Sequence, residues 1–136
     1  MGQQEEGVIK FTVPESVNVE RVKGLLCSAF EGGSNYWYMD LDVHQWPDGV
    51  SSRERVDAHI YDWHTEVPVV EGGVLSLVDK YEGDEHLLDL AKITKGLAIM
   101  REKYPRHWSN FATENDDAET ADVFLQCCVF DDIIYG

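Results

Sequence analysis

The chain has 136 residues, of which 43% are hydrophobic and 27% are charged, and this composition predicts that residues 1–136 form a single folded domain. Eleven basic and 26 acidic residues give a formal net charge of −15, which argues against direct nucleic-acid binding because a phosphate backbone would be repelled. No apolar run approaches the roughly 20 residues that cross a bilayer, and the first residues lack the features of a signal peptide, so we expect a cytoplasmic protein that does not bind a membrane.

The first two predicted elements are a strand over residues 7–13 and a helix over residues 14–30. Pro14 and Glu15 suit the first turn of a helix. Apolar residues then follow at helical spacing and should form a buried stripe: Val19, Val22, Leu26, Ala29 and Phe30. Gly24 inside this helix costs about 1 kcal/mol relative to Ala, which suggests that the helix packs closely on the sheet there.

The most distinctive stretch, residues 31–42, has the sequence Glu-Gly-Gly-Ser-Asn-Tyr-Trp-Tyr-Met-Asp-Leu-Asp. The two glycines permit left-handed backbone or a close approach, and the next two residues favour a turn. The aromatic residues favour a strand over residues 36–44. Alternation along that strand should bury one face, formed by Trp37, Met39, Leu41 and Val43. The other face should carry Tyr36, Tyr38, Asp40 and Asp42.

The middle of the chain predicts short strands joined by turns. A turn at residues 47–49 precedes a predicted strand at 56–65, and the sequence Glu-Gly-Gly at 71–73 predicts a tight hairpin between strands 67–70 and 74–78. We expect Gly73 to have positive φ in that hairpin.

The last third of the chain is predicted to be helical. A helix over residues 86–104 should bury one stripe, which consists of Leu87, Leu90, Ala91, Thr94, Leu97, Ala98, Arg101 and Tyr104. A helical turn at 105–111 should pack Trp108 and Phe111, and residues 115–117 should cap a final helix over 118–130. That helix should bury Ala121, Phe124, Leu125 and Cys128, and residues 133–135 could form an edge strand. Together these elements predict an α+β fold, an antiparallel sheet with about three helices packed on one face.

Metal and thiol chemistry finds little support in the sequence. Three cysteines suggest reduced core thiols, with Cys27 and Cys128 on apolar helix stripes. His59 and His64 lie five positions apart and would face opposite sides of a strand, so joint coordination with Asp62 or His44 is disfavoured. We therefore predict no metal and no cofactor.

Three functional hypotheses remain open. One is a small hydrolase that uses Asp40 or Asp42 with His59. Another is a binding site for a small, nucleotide-like ligand, lined by Gly33, Ser34, Asn35, Tyr36, Tyr38, Asp122 and Gln126. In this hypothesis the two tyrosines line a concavity beside the last helix, and the scarce cations that a phosphate would need are Arg53, Arg55, Lys103 and Arg106.

The leading hypothesis is a non-enzymatic protein that binds another protein with a basic surface. The carboxylates expected to contact that partner lie in two predicted loops and are Glu82, Asp84, Glu85, Glu114, Asp116, Asp117 and Glu119. Electrostatic complementarity would make such binding fast and sensitive to salt. The oligomeric state stays open.

Residues 31–38, 103–108 and 115–126, with the final Tyr135-Gly136, resemble a set of small uncharacterised phage and prophage proteins. The resemblance extends from about Val19 onward, and Asp131 stands where a glycine is expected after Phe130, so the turn into the tail could differ. It implies a viral accessory gene, expressed in the host-cell cytoplasm, whose product antagonises host defence.

Overall fold

The computed structural model describes residues 7–12, 15–47 and 62–136, and it has an α+β fold, as predicted. The strands are β1 (Val8–Thr12), β2 (Glu15–Asn18), β3 (Tyr38–Gln45), β4 (Val74–Asp79) and β5 (Glu85–Leu88). The helices are α1 (Val19–Ser28), α2 (Trp63–Glu66), α3 (Leu90–Lys103), α4 (Pro105–Ala112) and α5 (Ala118–Phe130), with a π turn at Ala29–Gly33 and a 3₁₀ turn at Val67–Val69. Strands β3, β4 and β5 form one antiparallel sheet in that order, and β1 pairs with β2 in a separate antiparallel ribbon. None of the described helices is both long and apolar enough to cross a membrane.

Helix α5 is the centre of the core. Every residue from 120 to 129 is buried, including the four that were predicted to be so. Helices α1, α3 and α4 and strand β5 all contact it. The predicted cap is confirmed, because Asp117 accepts a hydrogen bond from the Thr120 amide at 2.9 Å. Polar side chains in the buried part of a helix must find hydrogen-bond partners within the protein, and this requirement positions the candidate site.

The first helix begins later than predicted. Residues 15–18 form β2, in which Val17 pairs with Ile9 of β1, so Glu15 does not start a helix, and Pro14 lies outside the described residues. Asn18 is the true N-cap, and its side chain accepts a hydrogen bond from the Glu20 amide at 2.8 Å. Tertiary pairing with β1 therefore overrides the local signal for a helix start.

The buried stripe agrees with the prediction except at Val19, and it also includes Leu25, which was not predicted. Val22, Leu26, Ala29 and Phe30 are buried, and Val19 is only partly buried. Gly24 is exposed and has no atom within 4 Å of the position that a Cβ would occupy, so the expected close packing at this glycine is wrong.

A β-bulge in β3 reverses the predicted alternation. Met39 pairs with Val78 and Asp42 pairs with Ser76, so β3 carries one residue more than β4 between these pairs. Asp40 has φ of 55°, a left-handed conformation that Asp tolerates better than most residues and that is common in bulges. The in-and-out alternation of side chains along β3 is therefore interrupted at Asp40, and the residues before Asp40 face the opposite way from the one predicted.

The bulge changes which aromatic residues meet the core. Trp37 is buried, as predicted, although it lies in the turn before β3 and not in the strand. Tyr38, Leu41 and Val43 pack against the core, whereas Met39 is 39% exposed. The predicted assignment of Tyr38 to the outer face and Met39 to the core face is wrong, because one extra residue exchanges the faces.

No hairpin connects residues 67–70 to β4. Pro68 lies in the 3₁₀ turn Val67–Val69, and proline cannot donate the ladder hydrogen bond that a paired strand needs. Gly72 has positive φ (89°), not Gly73. A Cβ on Gly73 would lie 2.0 Å from the Val67 carbonyl oxygen, so this glycine is required by a close contact and not by its dihedral.

Two more predicted elements need correction. Residues 63–65 of the predicted strand belong to helix α2, while residues 56–61, with residues 48–49 of the predicted turn, lie outside the described residues. The predicted helix over 86–104 is split, because residues 85–88 form β5 and α3 starts at Leu90 behind its N-cap Asp89.

The stripe predicted for this helix is correct only in part, since Leu97 is buried and Leu90 and Tyr104 pack against the core. The buried residues of α3 are Ile93, Gly96, Leu97 and Met100, whereas Ala91 and Arg101 are exposed. The predicted phase was set by Leu87, which is part of a strand. Helix α4, in contrast, is confirmed, with Phe111 buried.

The thiols and the tail complete the fold. Cys127 and Cys128 are buried, as expected, but Cys27 is only partly buried, so the expectation of a core thiol there is wrong. Residues 131–136 form no strand, and Asp131 has φ of 66°, the left-handed conformation that a glycine after the helix would adopt. Asp131 therefore makes the turn that a glycine at this position would make.

Two helical glycines offer a direct test of the packing between α3 and α5. A Cβ on Gly96 would lie 2.9 Å from the Cys128 Cα and backbone nitrogen, whereas Gly24 has free space around it. Gly96→Ala should lower the free energy of unfolding by about 1–3 kcal/mol through overpacking, and Gly24→Ala should raise it by about 0.5–1 kcal/mol through helix propensity. Urea denaturation of both variants measures this, and equal midpoints would contradict the described contact.

Candidate binding cleft

A buried carboxylate on α5 organises the site. Asp122 is only 9% exposed and accepts hydrogen bonds from the Ser34 hydroxyl (2.7 Å), the Tyr36 hydroxyl (2.6 Å) and the Trp37 indole N–H (2.7 Å). The Gln126 side-chain amide lies one helical turn further on and donates to the Asp122 Oδ2 at 3.1 Å. The same oxygen accepts the hydrogen bond from Tyr36. Four neutral donors thus compensate a charge that would otherwise be costly to bury.

The glycine corner delivers three of these donors. The chain leaves α1 through the π turn Ala29–Gly33, and the Ser34 amide donates to the Ala29 carbonyl at 2.9 Å. A Cβ on Gly33 would lie 2.5 Å from the Ala118 carbonyl oxygen, so only glycine allows the corner to approach the start of α5 so closely. Gly32 has φ of 177°, which any residue adopts. Of the two glycines, only Gly33 is therefore required, because of its close contact with α5.

One buried side chain, that of Gln126, bonds the backbone of the tail. Gln126 is fully buried, and its Oε1 accepts hydrogen bonds from the Ile134 amide (2.8 Å) and the Tyr135 amide (2.9 Å). Its Nε2 also donates to the Tyr135 carbonyl at 3.2 Å. The predicted edge strand is therefore replaced by a segment bonded to a glutamine, which takes the role of a neighbouring strand.

A second buried carboxylate lies at the other side of the tail. Asp79 is 1% exposed and accepts hydrogen bonds from the Tyr135 hydroxyl (2.6 Å) and from the amides of Tyr81 (2.8 Å) and Glu82 (3.2 Å). Burial is the largest single influence and raises the pKa of Asp79, but these hydrogen bonds together leave the pKa below its ordinary value. The bond to Asp79 raises the pKa of Tyr135 to about 12.

Sequence reasoning missed Asp79 and Tyr135. The available signal was the turn sequence Asp-Lys-Tyr-Glu-Gly at 79–83, in which an aspartate can accept from the amides that follow it. The ring of Tyr135 also stacks on Trp37, with centroids 6.0 Å apart and planes 23° apart. The tail therefore joins the network of Asp122 to that of Asp79.

An open cleft of about 510 Å³ lies between the glycine corner, the start of α5 and the tail. Its polar lining residues are Tyr36, His107, Glu119, Asp122, Gln126 and Tyr135. Tyr36 is 40% exposed, and burial of its hydroxyl, together with the bond to Asp122, raises the pKa of this phenol. The cleft thus presents neutral phenol and amide groups beside carboxylates.

The structure brings most of the predicted ligand-binding residues together. Gly33, Tyr36, Asp122 and Gln126 line the cleft, and Ser34 lies behind it as a buried donor to Asp122.

Two predicted members of this set lie elsewhere. Tyr38 points towards the π turn after α1, where its hydroxyl donates to the Phe30 carbonyl at 2.7 Å, so it does not line the concavity. Asn35 is exposed, and its carbonyl oxygen accepts a hydrogen bond from the Lys80 ammonium at 2.7 Å. The bulge at Asp40 explains the displacement of Tyr38, since it turns this side chain to the core face.

Charge limits what the cleft can bind. No lysine or arginine lines it among the described residues. Lys103 and Arg106 are exposed and do not line it, and Arg53 and Arg55 lie outside the described residues. A phosphate group would meet carboxylates without a compensating cation, so the lining favours a neutral or cationic ligand over a nucleotide.

The predicted partner-binding carboxylates divide into two groups. Three have structural partners, since Asp116 pairs with Arg21 at 3.1 Å, Asp117 caps α5, and Glu85 accepts from the Ser76 hydroxyl at 2.5 Å. The remaining four are exposed, and their carboxylates make no hydrogen bond or ion pair with the residues that the structure describes: Glu82, Asp84, Glu114 and Glu119. Only the carboxylates of the second group can bind another molecule without breaking an interaction that stabilises the fold.

The proposed catalytic group is not assembled by the described residues. Asp40 and Asp42 are exposed, and Asp42 accepts a hydrogen bond from the Val43 amide at 2.8 Å. His59 lies outside the described residues.

Comparison with protein-family models, curated proteins and solved structures finds no match to this chain.

The Asp122 network predicts a large effect from a small change. Asp122→Asn keeps the shape but turns an amide N–H₂ towards groups that are themselves donors, so the free energy of unfolding should fall by about 2 kcal/mol or more. Glu119→Gln, on an exposed position of the same helix, is the matched control and should change it by less than about 0.5 kcal/mol. Urea midpoints that fall equally in both variants would contradict the network.

The Tyr135–Asp79 bond predicts a defined dependence of stability on pH. Because the pKa of Asp79 is lower in the folded state, its ionised carboxylate stabilises the fold at pH values above its ordinary pKa of 3.8. This contribution is lost as the pH falls through the folded-state pKa. The raised pKa of Tyr135 contributes stability below about pH 10, and this is lost as pH rises towards about 12. The stability difference between wild type and Tyr135→Phe should therefore be largest near neutral pH and shrink at both extremes.

Chemical denaturation across pH measures this difference. Tyr81→Phe, whose residue is 64% exposed, is the control and should follow the wild type at every pH. A difference for Tyr135→Phe that is constant from acid to alkaline pH would show that the hydroxyl contributes only packing.

Proposed function

We propose that the protein is a non-enzymatic phage accessory protein that antagonises a host defence system by binding one of its components through an acidic surface. The observation that carries the proposal is the set of four exposed carboxylates without partners among the described residues: Glu82, Asp84, Glu114 and Glu119. Carboxylates that neither cap helices nor pair with cations remain available for another molecule.

The whole-chain charge supports the same partner class. A net charge of −15 attracts a basic protein surface over a distance of about one Debye length and repels nucleic acid. Many basic surfaces of proteins exist to hold phosphate backbones, so an acidic protein can occupy such a groove and exclude the nucleic acid. Steering of this kind raises the association rate more than it lowers the dissociation rate.

The defence-related part of the proposal rests on the resemblance to small phage and prophage proteins. The residues that carry the resemblance include the two stretches that build the Asp122 network, residues 31–38 and 115–126. The acidic partner-binding role is our inference from the charge.

A second candidate function is the binding of a small molecule in the cleft. The supporting observation is the cleft of about 510 Å³ lined by Tyr36, Asp122 and Gln126. Because no lysine or arginine lines it among the described residues, we propose a neutral or cationic ligand there and not a phosphate-bearing signal. Mass spectrometry of molecules released on heating the purified protein would separate this candidate from the first.

Two charge-matched triple variants test the leading proposal. Glu82→Gln/Asp84→Asn/Glu119→Gln removes three charges from the proposed contact surface, and Asp40→Asn/Glu71→Gln/Glu102→Gln removes three from other exposed positions. Each variant is expressed in bacteria that carry one nucleic-acid-targeting defence system, and the plating efficiency of a sensitive phage is measured.

We expect the wild type and the control variant to restore plating of the phage against at least one system. With the contact-surface variant, the plating efficiency should be lower by at least about tenfold. Binding to the component of that system should weaken as salt rises from about 0.05 to 0.5 M. Equal activity of both variants, or binding that ignores salt, would overturn the acidic-surface mechanism. Failure against every system would overturn the defence role.

A further inference from the structure

A thiol, a carboxylate and an imidazole converge on the side of the molecule where α1 meets α2. The Cys27 Sγ lies 3.1 Å from the Glu31 Oε2, and the His64 Nε2 lies 3.5 Å from the same oxygen. The potential ligand atoms of the three side chains all lie within 4.8 Å of one another. These residues are separate from the cleft and from the proposed acidic contact surface.

The local structure explains the convergence. Cys27 is in the last turn of α1, and Glu31 follows four residues later in the π turn, so both side chains lie on one face. Helix α2 packs against α1 and brings His64 to that face. The imidazole is held between Phe30, with ring centroids 6.4 Å apart, and Trp63, with centroids 5.8 Å apart. A π turn at the end of a helix is often found at functional sites.

A fourth side chain lies behind the imidazole. The Asp62 Oδ1 is 3.7 Å from the His64 Nδ1, on the opposite edge of the ring from Glu31. This distance is longer than a hydrogen bond, so Asp62 acts on the imidazole by charge alone, and the Nε2 on the side of Glu31 is the candidate coordinating nitrogen. Asp62 and His64 were considered as metal ligands from the sequence, but as partners of His59 and His44, and the structure associates them with Cys27 and Glu31 instead.

We propose that Cys27, Glu31 and His64 bind a zinc ion. Tetrahedral zinc with ordinary bond lengths separates its ligand atoms by about 3.3–3.6 Å, close to the two distances described above. A thiolate and an imidazole select zinc over magnesium or calcium, which prefer oxygen ligands. On binding, the Cys27 thiol releases its proton to solvent and its sulfur bonds to the metal, so the thiolate and the carboxylate together balance the two positive charges.

The geometry also defines the type of site. Three protein ligands leave one tetrahedral position, and the Glu31 side chain is 63% exposed, so this position faces solvent and takes a water molecule. A site of this kind resembles three-ligand zinc centres and differs from closed structural ones. The proposal is independent of the acidic-surface function, and neither depends on the other's outcome.

Cobalt(II) titration of the full-length protein under reducing conditions is the primary test, because a cysteine ligand produces a thiolate-to-metal charge-transfer band that oxygen ligands do not. We expect the band at one equivalent of cobalt and its loss on adding zinc. Cys27→Ser should abolish the band, and His64→Gln should weaken cobalt binding by at least about tenfold.

Two histidine variants serve as controls. His44→Gln changes an exposed residue on β3, and His59→Gln changes the other histidine of the sequence-based metal hypothesis. Both should bind cobalt like the wild type. Circular dichroism confirms folding of each variant, and zinc should raise the melting temperature of the wild type but not of Cys27→Ser.

The outcomes separate the possibilities. Absence of the charge-transfer band in the wild type would overturn the proposal and leave the three side chains as an ordinary hydrogen-bonded cluster. A band that persists in Cys27→Ser, or that disappears in His44→Gln or His59→Gln, would place the metal at other ligands and overturn this assignment.

Discussion

The carboxylate of Asp122 is the constraint on which much of the structure depends. It lies on α5, most of which is buried, and it is only 9% exposed, so donors from the protein must provide most of the compensation for its charge. The donors that compensate it come from the corner after α1 and from Gln126 on α5 itself. Gln126 also bonds the backbone of the tail. The network around this one buried charge therefore connects the corner after the first helix, the last helix and the final residues.

The corner satisfies this constraint through its small residues. Gly33 permits contact with the start of α5, which brings the next residues within hydrogen-bonding distance of Asp122. Trp37 then serves two purposes, since its indole N–H donates to the carboxylate and its ring packs on Phe130, with centroids 5.1 Å apart. A larger residue at Gly33 would separate the corner from α5 and leave a buried charge without its donors.

The acidic character of the protein has two physical origins. Some carboxylates are structural, because Asp79 and Asp122 accept hydrogen bonds in the interior and Asp117 caps a helix. Others, such as Glu82 and Glu119, have no partner among the described residues and are exposed. Structural carboxylates are costly to neutralise, whereas the exposed ones can be changed without loss of the fold, so only the exposed ones can be tested for recognition.

The amino-acid sequence alone determined the α+β class, helices α4 and α5, the buried Trp37 and four of the residues around the cleft. These features follow from local signals, namely caps, prolines, helical spacing and a glycine corner. The tertiary structure alone decided where β2 replaced a helix start, how the bulge at Asp40 exchanged the faces of β3, and how Cys27 met His64. Pairing between distant strands and packing between distant helices decide such features, and their energies exceed the local propensities on which sequence reasoning depends.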